Sequence, residues 1–497
     1  MPVLRNRLAV TRAGGPRQFA ELRDRFLVSS ENRQQLREVR SELDRLGLDT
    51  EELQNADVLV AEPRERIETV LEQVRDAGMD SVKFRQGISD IEDAREAGEE
   101  IIDTTRATVS ATRALLQEIR SIGGVSLVDF VFTQADYGPE NLRFAPGDLP
   151  DVDPETAAEQ SGSLEDLNRQ MGMPEAWEDT RGENATVAIF DTGFAEGLIE
   201  SGRVVDTFHA SSVDSVFAPA EGHGTMTAGA ATASNEGDTP FNGAAPGSDV
   251  ILVRITNSEG QISGDVIARA WDWLSNRQNS NPVVANHSYG TPLCSGRPRS
   301  RFCQTPLNDV IDVVNEDPMI TSVYAAGNEA MQCGHRPSGV TNAVTGTNSL
   351  ASVITVGALR FDGRDAQRYS SHGRGDCAPI ADPKPNVSAR LPSKTYYGVE
   401  DGWKIKDMSI GVGGSSGGTS HAAPYTAGQL ALIQSKAVRD GDGPLETEEL
   451  KQLIQENATP PRPTQINQFG MVLGQKGYDA RFGHGELQIN EALSKVA

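Results

Sequence analysis

The later two-thirds of the chain alternates short, almost wholly apolar runs with amphipathic stretches, and this alternation narrows the choice of fold more than any other feature. Residues 186–190, 249–255, 282–286, 320–326 and 351–358 each read as a strand with no polar face. A strand apolar on both sides is one buried on both sides. Between them, residues 264–277 and 305–316 carry apolar side chains at helical spacing. The two patterns together predict an α/β fold, a mainly parallel sheet between helices. Functional side chains of such a sheet gather at the carboxyl ends of its strands. Asp191 ends the first run and Asn328 follows the fourth, whereas His223 and Ser420 open helical stretches at 225–234 and 420–435.

Those four residues sit in short segments whose chemistry is complementary. Asp191-Thr192-Gly193 supplies an acid, Gly222-His223-Gly224-Thr225 a base and Gly418-Thr419-Ser420 a hydroxyl. A serine hydroxyl is a poor nucleophile at neutral pH and needs an imidazole to take its proton. The imidazole in turn needs a buried carboxylate to fix its tautomer and stabilise it once charged. Ala325-Ala326-Gly327-Asn328 adds a carboxamide able to hold a developing oxyanion. The chain order Asp, His, Ser separates this set from two other arrangements of the same three groups. The helix opening at Ser420 would favour negative charge there through its dipole and free N–H groups. Pro424 fits that helix only near its start.

The N-terminal part reads differently. Within residues 21–90 a strand at 25–28, a helix at 33–47, a strand at 56–60, a helix at 64–78 and a strand at 81–84 suggest a small sheet with helices on one face. Leu36, Val39, Leu43 and Leu46 form one face of the first helix. A helical pattern over 88–122 and a strand over 125–132 follow. Residues 136–163 are acidic, rich in Pro and Gly and without period, which reads as a linker. The expected organisation is an N-terminal α+β extension (1–135), a linker (136–163) and a larger domain (164–497).

Charge sets limits on partners. The net charge is −25, and only nine of the 46 basic residues are lysine. Such a surface repels nucleic acid and anionic membranes, and no run approaches the ~20 apolar residues of a membrane span. The arginine bias fits adaptation to high salt, where screening relieves self-repulsion, and equally a GC-rich coding bias. The opening residues lack an apolar stretch followed by a small-residue cleavage site, so a cytoplasmic location is expected. The four cysteines, Cys294, Cys303, Cys333 and Cys377, contain no CxxC pair. Reduced thiols are the expectation for a chain without a signal. Bridges Cys294–Cys303 and Cys333–Cys377 are the pairings considered if it is oxidised.

At the chemical segments the chain resembles a known family. VAIFDTGF, GHGTMTAGA, AAPGSDVILVRI, NHSYG, AAGNE, SVITVGA and GGTSHAAPYTAG, with the terminal RFGHGELQINEAL, look like successive signatures of the subtilisin-like serine proteases. The likeness runs from about residue 167 to the C-terminus. It implies a subtilisin-like three-layer fold and a serine endopeptidase, with Ser420 as nucleophile, His223 as base then acid, Asp191 orienting it and Asn328 in the oxyanion hole. It further implies that Ser288, Tyr289 and Gly290 pair with substrate backbone and that the segment up to Gly339 forms the other pocket wall. Protein or peptide substrates follow, with no cofactor required. A structural calcium, which the family often carries after the His helix, has Asn235, Glu236 and Asp238 as candidate ligands, though an acidic solvated turn explains that loop equally well.

The extension invites two readings under the same resemblance. One is a propeptide that assists folding, inhibits the site from its own chain and is removed by self-processing. The other is a permanent adaptor. For the whole chain, the rival to an enzyme is a proteolytically silent binding or structural protein on the same fold. A scaffold has no need of the four polar groups together. His421, beside Ser420, diverges from it by about 100° on a helix and is not expected to act as the base. His335 reads as an ordinary loop histidine.

Overall fold

A computed structural model describes residues 19–54, 56–63, 115, 119, 122–123, 125–134, 162–209, 213–218, 222–236, 239–256, 262–290, 303, 305–330, 344–373, 375, 377, 382–399, 402–407, 409–410, 414–415, 417–461 and 478–496. The chain opens with β1 (Phe19–Ser30), α1 (Arg33–Arg45), β2 (Leu48–Glu52), β3 (Val58–Pro63) and β4 (Val125–Gln134). Next come α2 (Leu164–Gln170), α3 (Met173–Asp179), β5 (Thr186–Asp191), β6 (Val204–His209) and α4 (Gly222–Thr232). They lead to β7 (Asp249–Arg254), β8 (Ile262–Ser263), α5 (Gly264–Asn276), β9 (Val283–His287) and α6 (Pro306–Val314). β10 (Ile320–Ala325), β11 (Ile354–Leu359), β12 (Val387–Arg390), β13 (Lys394–Val399) and β14 (Gly402–Asp407) follow. The chain closes with α7 (Thr419–Asp440), α8 (Thr447–Glu456), β15 (Ala458–Thr459), β16 (Glu486–Leu487) and α9 (Ile489–Leu493).

Two compact units emerge. The first comprises residues 1–135 together with 261–276 and 304–314; the second takes the rest. In the first unit an antiparallel sheet runs in the order β2-β3-β1-β4-β8. Asn32 caps α1 by accepting the Gln35 N–H at 3.0 Å, which satisfies a donor left over at the helix start. Leu36, Val39 and Leu43 bury the face that their spacing predicts. β2 escapes a sequence reading because LDTEE shows little apolar alternation. It is held by register with β3, Leu48 opposite Pro63 and Thr50 opposite Ala61. The helix expected at 64–78 and the strand expected at 81–84 lie outside the described residues, as does most of 88–122 and of the linker.

The second unit is built on a sheet in the order β15-β16-β12-β11-β10-β9-β5-β7-β6. From β12 to β6 every neighbouring pair is parallel. β5, β9, β10 and β11 are buried at every residue, as their unbroken apolar runs require. β5 has β7 on one side and β9 on the other, so the strand order turns about β5 and opens a crevice at its carboxyl end. α4 packs on β5, and α7 crosses β9 to β12. Among the described residues no helix is long and apolar enough to cross a membrane.

The cysteines correct the sequence reading. Cys303 is bonded to Cys377, with Cα atoms 5.1 Å apart across a sequence separation of 74. Neither reduced thiols nor the pairings Cys294–Cys303 and Cys333–Cys377 describe it. Proximity along the chain says little about which segments folding brings together, and here the segment before α6 meets the one before β12. Cys294 and Cys333 lie outside the described residues.

Candidate active site

β5 delivers Asp191 to the crevice as its last residue, 2% exposed. Its carboxylate is fully engaged. Oδ1 accepts from His223 Nδ1 at 2.7 Å and from the Thr192 N–H at 2.7 Å, while Oδ2 lies 3.0 Å from the Thr227 hydroxyl, which shares its proton with the Gly224 carbonyl at 2.9 Å. A carboxylate can only accept, so Nδ1 carries the imidazole proton and Nε2 is left with its lone pair. His223 and Thr227 lie four residues apart on α4 and share a face. The approach of α4 to β5 is close: a Cβ at Gly224 would fall 2.2 Å from the Gly193 carbonyl oxygen. Glycine there is a steric necessity.

Ser420 is the second residue of α7, 7% exposed against 8% for His223. Gly418 turns the chain into the helix with φ +63°, a conformation that an L side chain resists. The Ser420 hydroxyl donates to the Ser288 carbonyl at 3.0 Å, and the Ser288 hydroxyl donates to the Ser420 carbonyl at 2.9 Å. Pro424 explains the second bond. It has no N–H for the carbonyl four residues back, and that carbonyl is Ser420's. The orphaned acceptor is thus taken by Ser288. His421 turns away from Asp191: its Nε2 meets Thr395 Oγ1 at 2.9 Å, and burial holds its imidazole down at about 4.

Asn328 follows β10. Its side-chain oxygen accepts from the Thr419 N–H at 2.9 Å and the Thr419 hydroxyl at 3.1 Å. Thr419 Oγ1 in turn accepts the Gly327 N–H at 3.1 Å. With its oxygen so held, Asn328 keeps its NH2 group as a donor beside Ser420. Glu329 secures the backbone below by accepting the Asn328 N–H at 2.7 Å. Asn348 donates to the carbonyls of Tyr289 and Ala325, at 2.8 and 2.6 Å, and ties the segment after β9 to the end of β10. Beneath it His287 stacks on Tyr324 with centroids 4.3 Å apart. Burial pushes its imidazole well below the usual histidine range.

Hydrogen bonds thus join Asp191 to His223, and separately Ser420 to Ser288 and Thr419 to Asn328, while Asn348 holds Tyr289 and lies against Gly290; α4, which carries His223, packs on α7, which carries Ser420. Gly339 and His335 lie outside the described residues, as does Asp238. Glu236 Oε1 is 3.3 Å from the Arg181 guanidinium, and the Asn235 N–H donates to Asn242. Among the described residues no group of three or more His, Cys, Asp or Glu could hold a metal. Thr227, Thr419 and Asn348 were missed from the sequence. Thr227, four residues after His223 on the same helix, and Thr419, directly before Ser420, left a signal there; Asn348 left none.

Comparison with known proteins agrees with this geometry. The profile of the subtilase family matches residues 182–485. Subtilisin DY of Bacillus licheniformis is 29% identical over 256 residues, which are 52% of this chain and 78% of that protein. Subtilisin E of Bacillus subtilis (strain 168) is 27% identical over 255 residues, 51% of this chain but only 56% of that protein. Among solved structures, fervidolysin from Fervidobacterium pennivorans, a keratinolytic enzyme related to subtilisin, superposes with a TM-score of 0.57 at 18% identity. That match covers 98% of this chain and 62% of the fervidolysin chain.

Proposed function

The chain belongs to the subtilase family of serine endopeptidases, and from that premise we propose that it hydrolyses peptide bonds through an acyl-enzyme on Ser420. The Ser420 hydroxyl leaves the Ser288 carbonyl and passes its proton to His223 Nε2 as its oxygen attacks the substrate carbonyl carbon. Asp191 stabilises the imidazolium so formed. The tetrahedral oxyanion takes hydrogen bonds from the Asn328 NH2 group and the Ser420 N–H. The imidazolium then protonates the leaving amine, and water, deprotonated by the same imidazole, releases the acid and restores Ser420. No metal enters any step. The observation that carries this reading is the 2.7 Å bond between Asp191 and His223, with both carboxylate oxygens already satisfied.

The test is labelling with a fluorophosphonate. Wild-type protein should take the label on Ser420 and digest an unfolded protein, and Ser420→Ala should do neither. A folded, processed wild type that resists the reagent would refute the proposal.

The same reading extends to maturation and location. The N-terminal sheet supports a self-removed segment: cleavage in residues 133–166 is expected in wild type, with Ser420→Ala remaining full length on a denaturing gel. A wild-type chain that is fully active uncut would favour the adaptor. The Cys303–Cys377 bridge supports work in an oxidising compartment, against the cytoplasmic expectation from the sequence.

A further inference from the structure

Three of the nine lysines of this strongly acidic chain lie within thirteen residues, on the β13–β14 hairpin. The hairpin register sorts its side chains onto two faces. Tyr396, Ile405 and Trp403 share one; Thr395, Lys406, Tyr397 and Lys404 share the other, Thr395 directly opposite Lys406 and Tyr397 opposite Lys404. Three contacts fix where each face looks. Tyr396 lies on Gly229, two turns into α4, where a Cβ would fall 2.4 Å from its ring. Tyr397 lies on Gly222, the residue before His223, where a Cβ would meet its ring at 2.3 Å. Thr395 bonds His421, the residue after Ser420. The face that carries both lysines is therefore the one turned toward the starts of α4 and α7.

Their charges are available. The Lys406 ammonium sits 3.9 Å from the centroid of the Tyr397 ring, a cation–π contact that positions it without neutralising it. Neither Lys404 nor Lys406 forms an ion pair with a described residue, whereas Lys384, Lys436 and Lys451 all do. In a chain of net charge −25, two unpaired ammonium groups on the hairpin face shared with Tyr397 and Thr395 are a local inversion of the molecular field.

We propose that Lys404 and Lys406 form a subsite for carboxylate side chains, so that the protein selects substrates bearing Asp or Glu next to the cleaved bond. The inference rests on the endopeptidase reading and names a substrate class for that site.

The test uses pairs of quenched fluorogenic peptides that differ only in Glu against Gln at positions flanking the cleaved bond. Wild type should cleave the Glu member with the higher kcat/KM. Lys404→Gln/Lys406→Gln should lower the Glu:Gln ratio about three- to tenfold, the range for two exposed ion pairs, and leave the Gln peptide unaffected. Lys404→Glu/Lys406→Glu should invert the preference. The wild-type ratio should also shrink in about 1 M salt, where the Debye length is roughly 3 Å. A ratio near one in wild type, or one the substitutions leave unchanged in enzyme that still takes a fluorophosphonate on Ser420, overturns the subsite and spares the protease. If Ser420 takes no label and no peptide is cut, the protease reading fails alone. Binding of the same peptides to Ser420→Ala then decides, and equal affinities overturn the subsite.

Discussion

Asp191 accepts three hydrogen bonds, and the one from Thr227 reaches the oxygen that His223 does not use. A hydrogen bond to a charged group is stronger than one between neutral groups. Thr227 thus acts as a positioning residue that fixes the carboxylate plane toward the imidazole. Thr227→Val, of nearly the same shape, should lower kcat about three- to tenfold with KM unchanged, and Thr227→Ser should restore most of it. Steady-state kinetics on one small peptide checks both. His421 offers a second test. Its imidazole titrates near 4 in the folded protein, below its usual 6.5, so between those values the unfolded chain holds more protons. Stability must therefore fall as pH drops from 6.5 toward 4, by up to about 3 kcal/mol from this group. His421→Gln should flatten that part of the urea-midpoint curve against pH. A sequence shows His421 next to Ser420; it does not show that Thr395 will be its partner.

Among elements, α8 is anchored to the sheet through charge. Lys451 Nζ donates to the Ala351 carbonyl at 2.6 Å and meets Asp382 at 3.2 Å, and Lys384 reaches the same carboxylate at 3.1 Å and the Val353 carbonyl at 2.7 Å. Two ammonium groups share one half-buried carboxylate, and burial pulls Lys384 from 10.5 to about 8. The unfolded chain then binds more protons than the folded one between those limits, and stability should rise with pH across that window. Lys384→Met should remove the slope while leaving Asp382 its partner Lys451. Denaturant titrations from pH 7 to 10 would show it. Elements also differ in how far a sequence reveals them. β5, β9 and β10 announce themselves because both faces are buried. The β13–β14 hairpin does not, since its strands mix lysine with aromatics. A cross-strand contact, Tyr396 edge-on to Trp403 at 5.4 Å, joins a distant one, the Phe241 N–H donating to the Tyr396 hydroxyl at 2.8 Å.

At the scale of the whole molecule, the Cys303–Cys377 bridge closes a loop within a chain of net charge −25. A bridge across 74 residues restricts the unfolded chain by about 4 kcal/mol in the chain-entropy account, so a reductant should lower the Tm by several degrees, read by calorimetry with and without dithiothreitol. By itself the sequence determined the parallel sheet and marked Asp191, His223, Ser420 and Asn328 as the candidate acid, base, nucleophile and carboxamide. These rest on local periodicity and on residue chemistry, which travel with the chain. Tertiary structure alone decided which cysteines meet, that Ser288 takes the carbonyl Pro424 frees, and that a hairpin brings Tyr397 against Gly222. Each of those depends on atoms far apart in sequence coming within a few ångströms, and no local pattern encodes that distance.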